Sequence, residues 1–283
     1  NKARTTFIDS ILKHSHRGRI HAEIHQMRSD QGGTVTGRFS YSNPNLQQIP
    51  ARNAILGPLI RSLFIPEKDS QWGIFDYSQQ EPRLVVHYAA MKSFTGASKF
   101  VEAYQEEEST DFHQLVAEMA DIGRKQAKTI NLGLFYGMGK GKLMSQLGVD
   151  QETATDLLTS YHERVPFVKQ LMNDTMNKAG KKGYLSTLLG RRCRFDLWEP
   201  SNEWGSKALP LKDAQREYGE HMIKRAWTYK ALNRLIQGSA ADQTKQAMVA
   251  LHKEGYTAHI QVHDELDFSV ASDKDSSKIK DIM

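Results

Sequence analysis

Trp72-Gly73-Ile74-Phe75-Asp76-Tyr77-Ser78-Gln79-Gln80-Glu81-Pro82-Arg83 is the stretch that decides how this chain is read. A short apolar run of strand length ends in a carboxylate at Asp76, and Pro82 then stands where a helix can begin its first turn. A second alternating run, residues 259–270, carries Asp264-Glu265 in its interior. Each run places an acid where the pattern calls for a buried residue. An unpaired carboxylate in such a place is costly, so it is usually ionised against a metal, a cation or a strong donor. Two of them point to a metal site. Taken singly, Asp76 also fits a turn or capping carboxylate, and Asp264 fits a two-residue hairpin turn.

Composition frames what these acids can serve. At 283 residues the chain has room for two ordinary domains, or for one large domain carrying an inserted subdomain. Its 38 Lys+Arg against 33 Asp+Glu give a formal charge of +5, and the pI is near 9.1, a lean towards a polyanionic partner. Cys193 is the only cysteine, which excludes an intrachain disulfide and a Cys-rich zinc site and fits a reducing compartment. With a mean hydropathy of −0.58 and no long apolar run, neither a membrane span nor a signal peptide is expected. The chain starts without a methionine, inside a helical pattern over residues 6–14, and stops in a charged run that begins at Asp273. These ends read as those of a fragment of a longer polypeptide.

Between the ends, strands are expected at residues 72–76 and 257–262 and a helix over residues 83–91. Residues 111–148 read as mostly helical. Asp150 is expected to cap the next helix, which Pro166 divides and Gly180 ends. Residues 195–219 read as an exposed excursion, followed by helices over residues 220–254. Strands near both ends with helices between imply an α+β sheet domain with an inserted helical subdomain. On a helix, Arg124, Lys128, Leu132 and Tyr136 fall at i, i+4, i+8 and i+12, a stripe that is cationic in its first half and apolar and aromatic in its second. A nucleoside triphosphate has the matching asymmetry, a polyanionic tail and a flat base. Arg can grip phosphate oxygens through its fork and Lys supplies a compact charge. A basic amphipathic helix with solvated charges fits the same spacing.

The segment Asp76-Tyr77-Ser78-Gln79-Gln80-Glu81-Pro82-Arg83 resembles motif A of the family A, pol I-like DNA polymerases. Residues 124–137, RKQAKTINLGLFYG, are similar to their motif B, and Gln261-Val262-His263-Asp264-Glu265 to their motif C. Thr36-Gly37-Arg38, Pro44-Asn45-Leu46-Gln47-Gln48-Ile49-Pro50, Asp111-Phe112-His113, Gly190-Arg191-Arg192 and residues 233–242 match further motifs in the family's order. An ordered set of this size is far more specific than any one motif.

The resemblance implies a right-hand polymerase fold of the α+β class, an antiparallel palm sheet with an inserted helical fingers subdomain. Residues 1–95 would hold a thumb remnant and the first part of the palm. Residues 96–219 would form the fingers, with an insertion near 195–219, and residues 220–283 a second part of the palm, truncated at the C-terminus. The implied activity is DNA-directed DNA synthesis, the addition of dNTPs to a primer 3′-hydroxyl by a two-metal-ion transfer. Asp76 and Asp264 would hold two Mg²⁺ ions with the Tyr77 carbonyl as a further ligand, and Glu265 would tune the primer terminus. His113, Arg124 and Lys128 would bind the incoming triphosphate, with Lys128 as general acid to the leaving pyrophosphate. Gln79, Leu132, Tyr136 and Gly137 would complete the nucleotide site, and Glu81 would block the ribose 2′ position. Its bland alternative is a surface Glu beside Arg83. Arg38, Gln47, Asn233, Gln237 and His263 would line the minor-groove side of the primer-template end, where every Watson-Crick pair presents acceptors. For Asn233 and Gln237 an intrahelical polar pair is the alternative.

Two departures qualify the match. Leu132 stands where commoner members have Phe or Tyr, which implies altered incorporation kinetics. The close spacing of His113 and Arg124 is similar to the phage replicative branch and favours a viral origin, with host cytoplasm as the location. Primer-template DNA and dNTPs are the implied partners, with a processivity factor for the full-length protein and no membrane. The competing reading is a catalytically weak or inactive DNA-binding fragment of a longer polymerase.

Overall fold

The computed structural model describes residues 4–27, 32–50, 53–203 and 205–283. The chain separates into two compact units, Asn1–Tyr77 with Ala240–Met283, and Ser78–Ser239. The second is inserted in the sequence of the first. Helix and sheet are mixed, and the paired strands among the described residues are antiparallel.

The first unit is built on a three-stranded sheet in the order Ile260–Val262, Glu265–Val270, Gln71–Asp76. Its register pairs Asp76 with Glu265, Ile74 with Asp267 and Trp72 with Ser269, and the pleat puts these six side chains on one face. The alternate residues Leu266, Phe268 and Val270, with Phe75, pack on Leu251 and Ile279, which come from the helices Ala231–Lys253 and Asp273–Ile282. Burying each large side chain contributes roughly 1.5–3 kcal/mol. A one-residue slip would expose that layer and bury the acids, so the apolar face fixes which acids stand opposite one another.

The second unit is mainly helical. The rings of Phe100, Phe112, Phe135 and Phe167 form its core, with centroids 5.0–6.0 Å apart along the series. Asp150 caps Gln151–Arg164 by accepting from the Thr153 amide at 2.8 Å, and Pro166 opens Pro166–Lys182 at its first position. That helix ends at Gly183, φ 76°, and not at Gly180, which lies inside it, because the left-handed cap falls one turn later. Residues 195–219 are largely exposed, as expected, but the described part of the segment also carries two strands and a helix that the sequence reading did not expect. Leu197–Pro200 sits between Leu209–Pro210 and Ile223–Arg225 in a small sheet, and Leu211–Tyr218 buries Ala214. Of residues 220–254, expected as helices, Ile223–Arg225 is a strand and the long helix runs from Ala231 to Lys253. At the N-terminal end a π-helical turn, Arg4–Asp9, precedes the short helix Ser10–Lys13.

Candidate active site

Three acids gather at one end of the first unit's sheet. Asp76 is the last residue of its strand and lies opposite Glu265. Residues so paired have Cα atoms about 4.5–5.5 Å apart. Val262 pairs with Glu265, which leaves His263, φ 59°, and Asp264 as the two-residue turn. The Tyr77 amide donates to the Asp264 carbonyl at 3.3 Å and ties that turn to the end of the first strand. The turn reading of Asp264 and its place in an acid cluster thus hold together.

The electrostatics follow from this crowding. Partial burial, then the charges of Asp264 and Glu265, push the Asp76 carboxyl up to about 6. Glu265 is also raised, by burial and by Asp264, against an opposing effect of Arg61. Carboxylates that repel one another are suited to a hard divalent cation. Among the described residues no three His, Cys, Asp or Glu side chains are arranged as a metal cage. That donor set suits an ion which takes the rest of its shell from phosphate and water.

Sequence reasoning missed a further acid. Asp267 lies two residues along the same face from Glu265 and is only 6% exposed. It lines a crevice with Arg61, Phe64, Trp72 and Ile74, accepts a hydrogen bond from the Trp72 side chain, and its Oδ1 has no partner. Burial, reinforced by Glu265, raises its carboxyl to about 7.

In the second unit the stripe lies on the outer face of the helix Arg124–Phe135. Arg124, Lys128 and Tyr136 are exposed and Leu132 half-buried, while Ala127, Ile130, Asn131 and Phe135 are buried. The Arg124 fork grips one oxygen of Asp111, Nε at 2.9 Å and Nη2 at 2.5 Å. The other Asp111 oxygen caps the helix Phe112–Ala120 by accepting from the His113 and Gln114 amides. This positioning acid was absent from the sequence-based candidates, although its place at a helix start before His113 is a readable cap signal. His113 is buried among these groups. Burial lowers its imidazole pKa, Asp111 opposes that, and Lys128 and Arg124 add to it.

Gln79 has a left-handed backbone, φ 53°, just before the helix Gln80–Met91. Its amide donates to the Thr110 carbonyl and accepts from the Phe112 amide, both at 2.8 Å. It thereby clamps the start of that helix to the segment that carries His113. Glu81 accepts from the Tyr136 hydroxyl at 3.0 Å. Arg83 bonds the Ser78 and Glu108 carbonyls and stacks on Tyr104, with its guanidinium 4.3 Å from the ring centre. Gly137 has φ 66°, and a Cβ there would come within 2.7 Å of the Tyr229 carbonyl oxygen.

The expected DNA-facing residues divide between the units. In the first, the Gln47 amide donates to the Gln261 carbonyl at 3.3 Å, and Gln261 donates to the His263 carbonyl at 2.6 Å. Arg38 lines a crevice with the same Gln261 and His263. In the second, Asn233 and Gln237 stand half-exposed one turn apart on the helix Ala231–Lys253, and no hydrogen bond joins them.

Comparison with known proteins places these features in context. The description DNA polymerase family A matches residues 1–283. A DNA-directed DNA polymerase of Pseudomonas phage M6 is 37% identical over 331 residues, which covers 100% of this chain and 46% of the phage protein. The thermostable DNA polymerase I of Thermus aquaticus is 35% identical over 280 residues, 94% of this chain and 30% of its own. Among solved structures, the POL domain of Pol1 from M. smegmatis, in complex with DNA primer-template and dNTP, is similar with a TM-score of 0.76 and 31% identity, covering 99% of this chain and 47% of that one. The chain spans less than half the length of these two curated relatives.

Proposed function

This chain belongs to DNA polymerase family A, and from that premise we propose that it is the catalytic core of a DNA-directed DNA polymerase, which adds dNTPs to a primer 3′-hydroxyl as a template directs. The observation that carries the reading is the acid cluster, Asp76 opposite Glu265 with Asp264 in the adjoining turn. Asp76 and Asp264, with the Tyr77 carbonyl, would hold two Mg²⁺ ions. Bound there, the ions would activate the primer hydroxyl and neutralise charge on the triphosphate.

The chain's own residues supply the rest. Arg124 and Lys128 offer cations, and His113 a further donor, to the phosphate tail. Lys128 would protonate the leaving pyrophosphate. Arg124 comes to this task already oriented by Asp111, so less side-chain freedom is lost when phosphate binds. Leu132 and Tyr136 would meet the base, and Glu81, held by the Tyr136 hydroxyl, would exclude a ribose 2′-hydroxyl by a clash. Glu265 would tune the primer terminus. Arg38, Gln47, Asn233, Gln237 and His263 would read minor-groove acceptors, which sense pair geometry without sequence preference. Phage relatives support a place in host cytoplasm, and among the described residues no helix is long and apolar enough to cross a membrane.

Primer extension on a defined template, with dNTPs and rNTPs in parallel, tests this reading. Template-complementary extension that prefers dNTPs is expected. Primer-template binding with no extension under any divalent ion would overturn it in favour of a DNA-binding fragment.

A further inference from the structure

The structure assigns to Asn131 and Tyr161 the task of holding His113 in a single tautomer, with its Nε2–H as the group offered to a ligand. The inference rests on the reading of His113 as a triphosphate contact and gives that contact its chemical form. His113 Nδ1 lies 2.9 Å from the Asn131 amide nitrogen, and the Asn131 Oδ1 accepts from the Tyr161 hydroxyl at 2.5 Å. Asn131 and Tyr161 are fully buried, so neither can turn to water for a substitute partner.

Satisfying every group leaves one arrangement. A buried Tyr hydroxyl has one hydrogen to place, and among the described residues the acceptor it meets is the Asn131 oxygen. That fixes the amide with its nitrogen towards His113. An amide nitrogen only donates, so Nδ1 must accept and the ring proton of neutral imidazole must sit on Nε2. With the amide reversed, Nδ1–H would face the Asn oxygen, but the Tyr161 hydrogen would be buried without an acceptor, an arrangement that native cores avoid. Among the described residues Nε2 has no protein partner, and it is not closed off from solvent.

A donor at Nε2 matches what the neighbouring groups attract. Phosphate oxygens are acceptors, and Arg124 and Lys128 on the adjacent helix are cations. Burial, opposed by Asp111 and aided by the same two cations, disfavours an imidazolium, and in the neutral ring the tautomer decides whether Nε2 donates or repels. Asn131 and Tyr161 are therefore positioning residues that act through His113. They also restrict the ligand to one whose facing atom is an acceptor, such as an ionised phosphoryl oxygen.

The test reads the tautomer directly by long-range ¹H–¹⁵N correlation of His113 in the whole protein without nucleotide. The parent is expected to show protonated Nε2 and bare Nδ1. Tyr161→Phe frees the amide to reverse and is expected to populate the second tautomer. Because only the competent fraction then binds, the KM for dNTP rises about twofold to tenfold with kcat little changed. Asn131→Asp, which offers Nδ1–H a carboxylate, is expected to move the proton to Nδ1 outright. Protonated Nδ1 in the parent, or an unchanged tautomer in Tyr161→Phe, would overturn the proposal. If the tautomer behaves as stated but His113→Ala leaves the KM for dNTP unchanged, the lock stands and the assignment of the triphosphate to His113 is what fails.

Discussion

Replacing Asp267 by Asn should stabilise the protein, and by an amount that depends on pH. The carboxyl is almost fully buried, has one orphaned oxygen, and is raised from 3.8 to about 7. Between those two values the folded chain holds a proton that the unfolded chain releases, so stability falls as pH rises through the window. The slope is one proton, about 1.36 kcal/mol per pH unit, and the full penalty above pH 7 is about 4 kcal/mol. Between pH 5 and pH 8 the parent should therefore lose about 3 kcal/mol relative to Asp267→Asn. The amide keeps an acceptor for the Trp72 N–H, and the lost attraction to exposed Arg61 returns at most about 1 kcal/mol. Urea unfolding at both pH values measures this. At an m-value of about 2–3 kcal/mol/M, the gap between the two midpoints should widen by about 1 M from pH 5 to pH 8. A gap that does not change with pH, or an Asn variant less stable than the parent at pH 8, would refute the reasoning.

Other substitutions probe the second unit. Gly137→Ala forces a Cβ towards the Tyr229 carbonyl at a left-handed backbone position, and should cost about 1–3 kcal/mol in the same unfolding assay. Leu132→Phe and Leu132→Tyr should change dideoxynucleotide incorporation relative to dNTPs, and equal selectivity in all three proteins would count against a base-facing Leu132. Glu81→Ala should raise rNTP incorporation at least tenfold relative to dNTP, the value of about 1.4 kcal/mol of lost discrimination. Tyr136→Phe, which removes the hydrogen bond to Glu81, should raise it less.

Much of this arrangement was legible in the sequence, for identifiable reasons. The strand expected at residues 72–76 is there as Gln71–Asp76, because a β-rich run bounded by a turn signal needs no distant partner to be recognised. Asp150 and Pro166 mark helix starts through local chemistry alone. The segments that misled depend on distant pairing. Ile223–Arg225 is a strand because Leu197–Pro200 lies beside it and Arg225 stacks on Trp198, with 4.6 Å from guanidinium to ring centre, and neither contact is visible in a local pattern. Asp267 falls at a polar position of the alternating run over residues 259–270, and its pleat position is off the core face. It is buried because Phe64 and Trp72 cover the other face as well. Asn131 carried a signal that went unused, a polar residue on the buried side of an amphipathic helix between Ile130 and Phe135.

The acid cluster is tested most directly by the rate of single-nucleotide addition in Mg²⁺, measured at single turnover for Asp76→Asn and Asp264→Asn beside the parent. Each substitution preserves side-chain shape and removes one hard anionic ligand, so each should slow addition by about a thousandfold or more, the worth of several kcal/mol, while the thermal midpoint in chelator stays at or above that of the parent. Addition within tenfold of the parent rate in either folded variant would contradict the account.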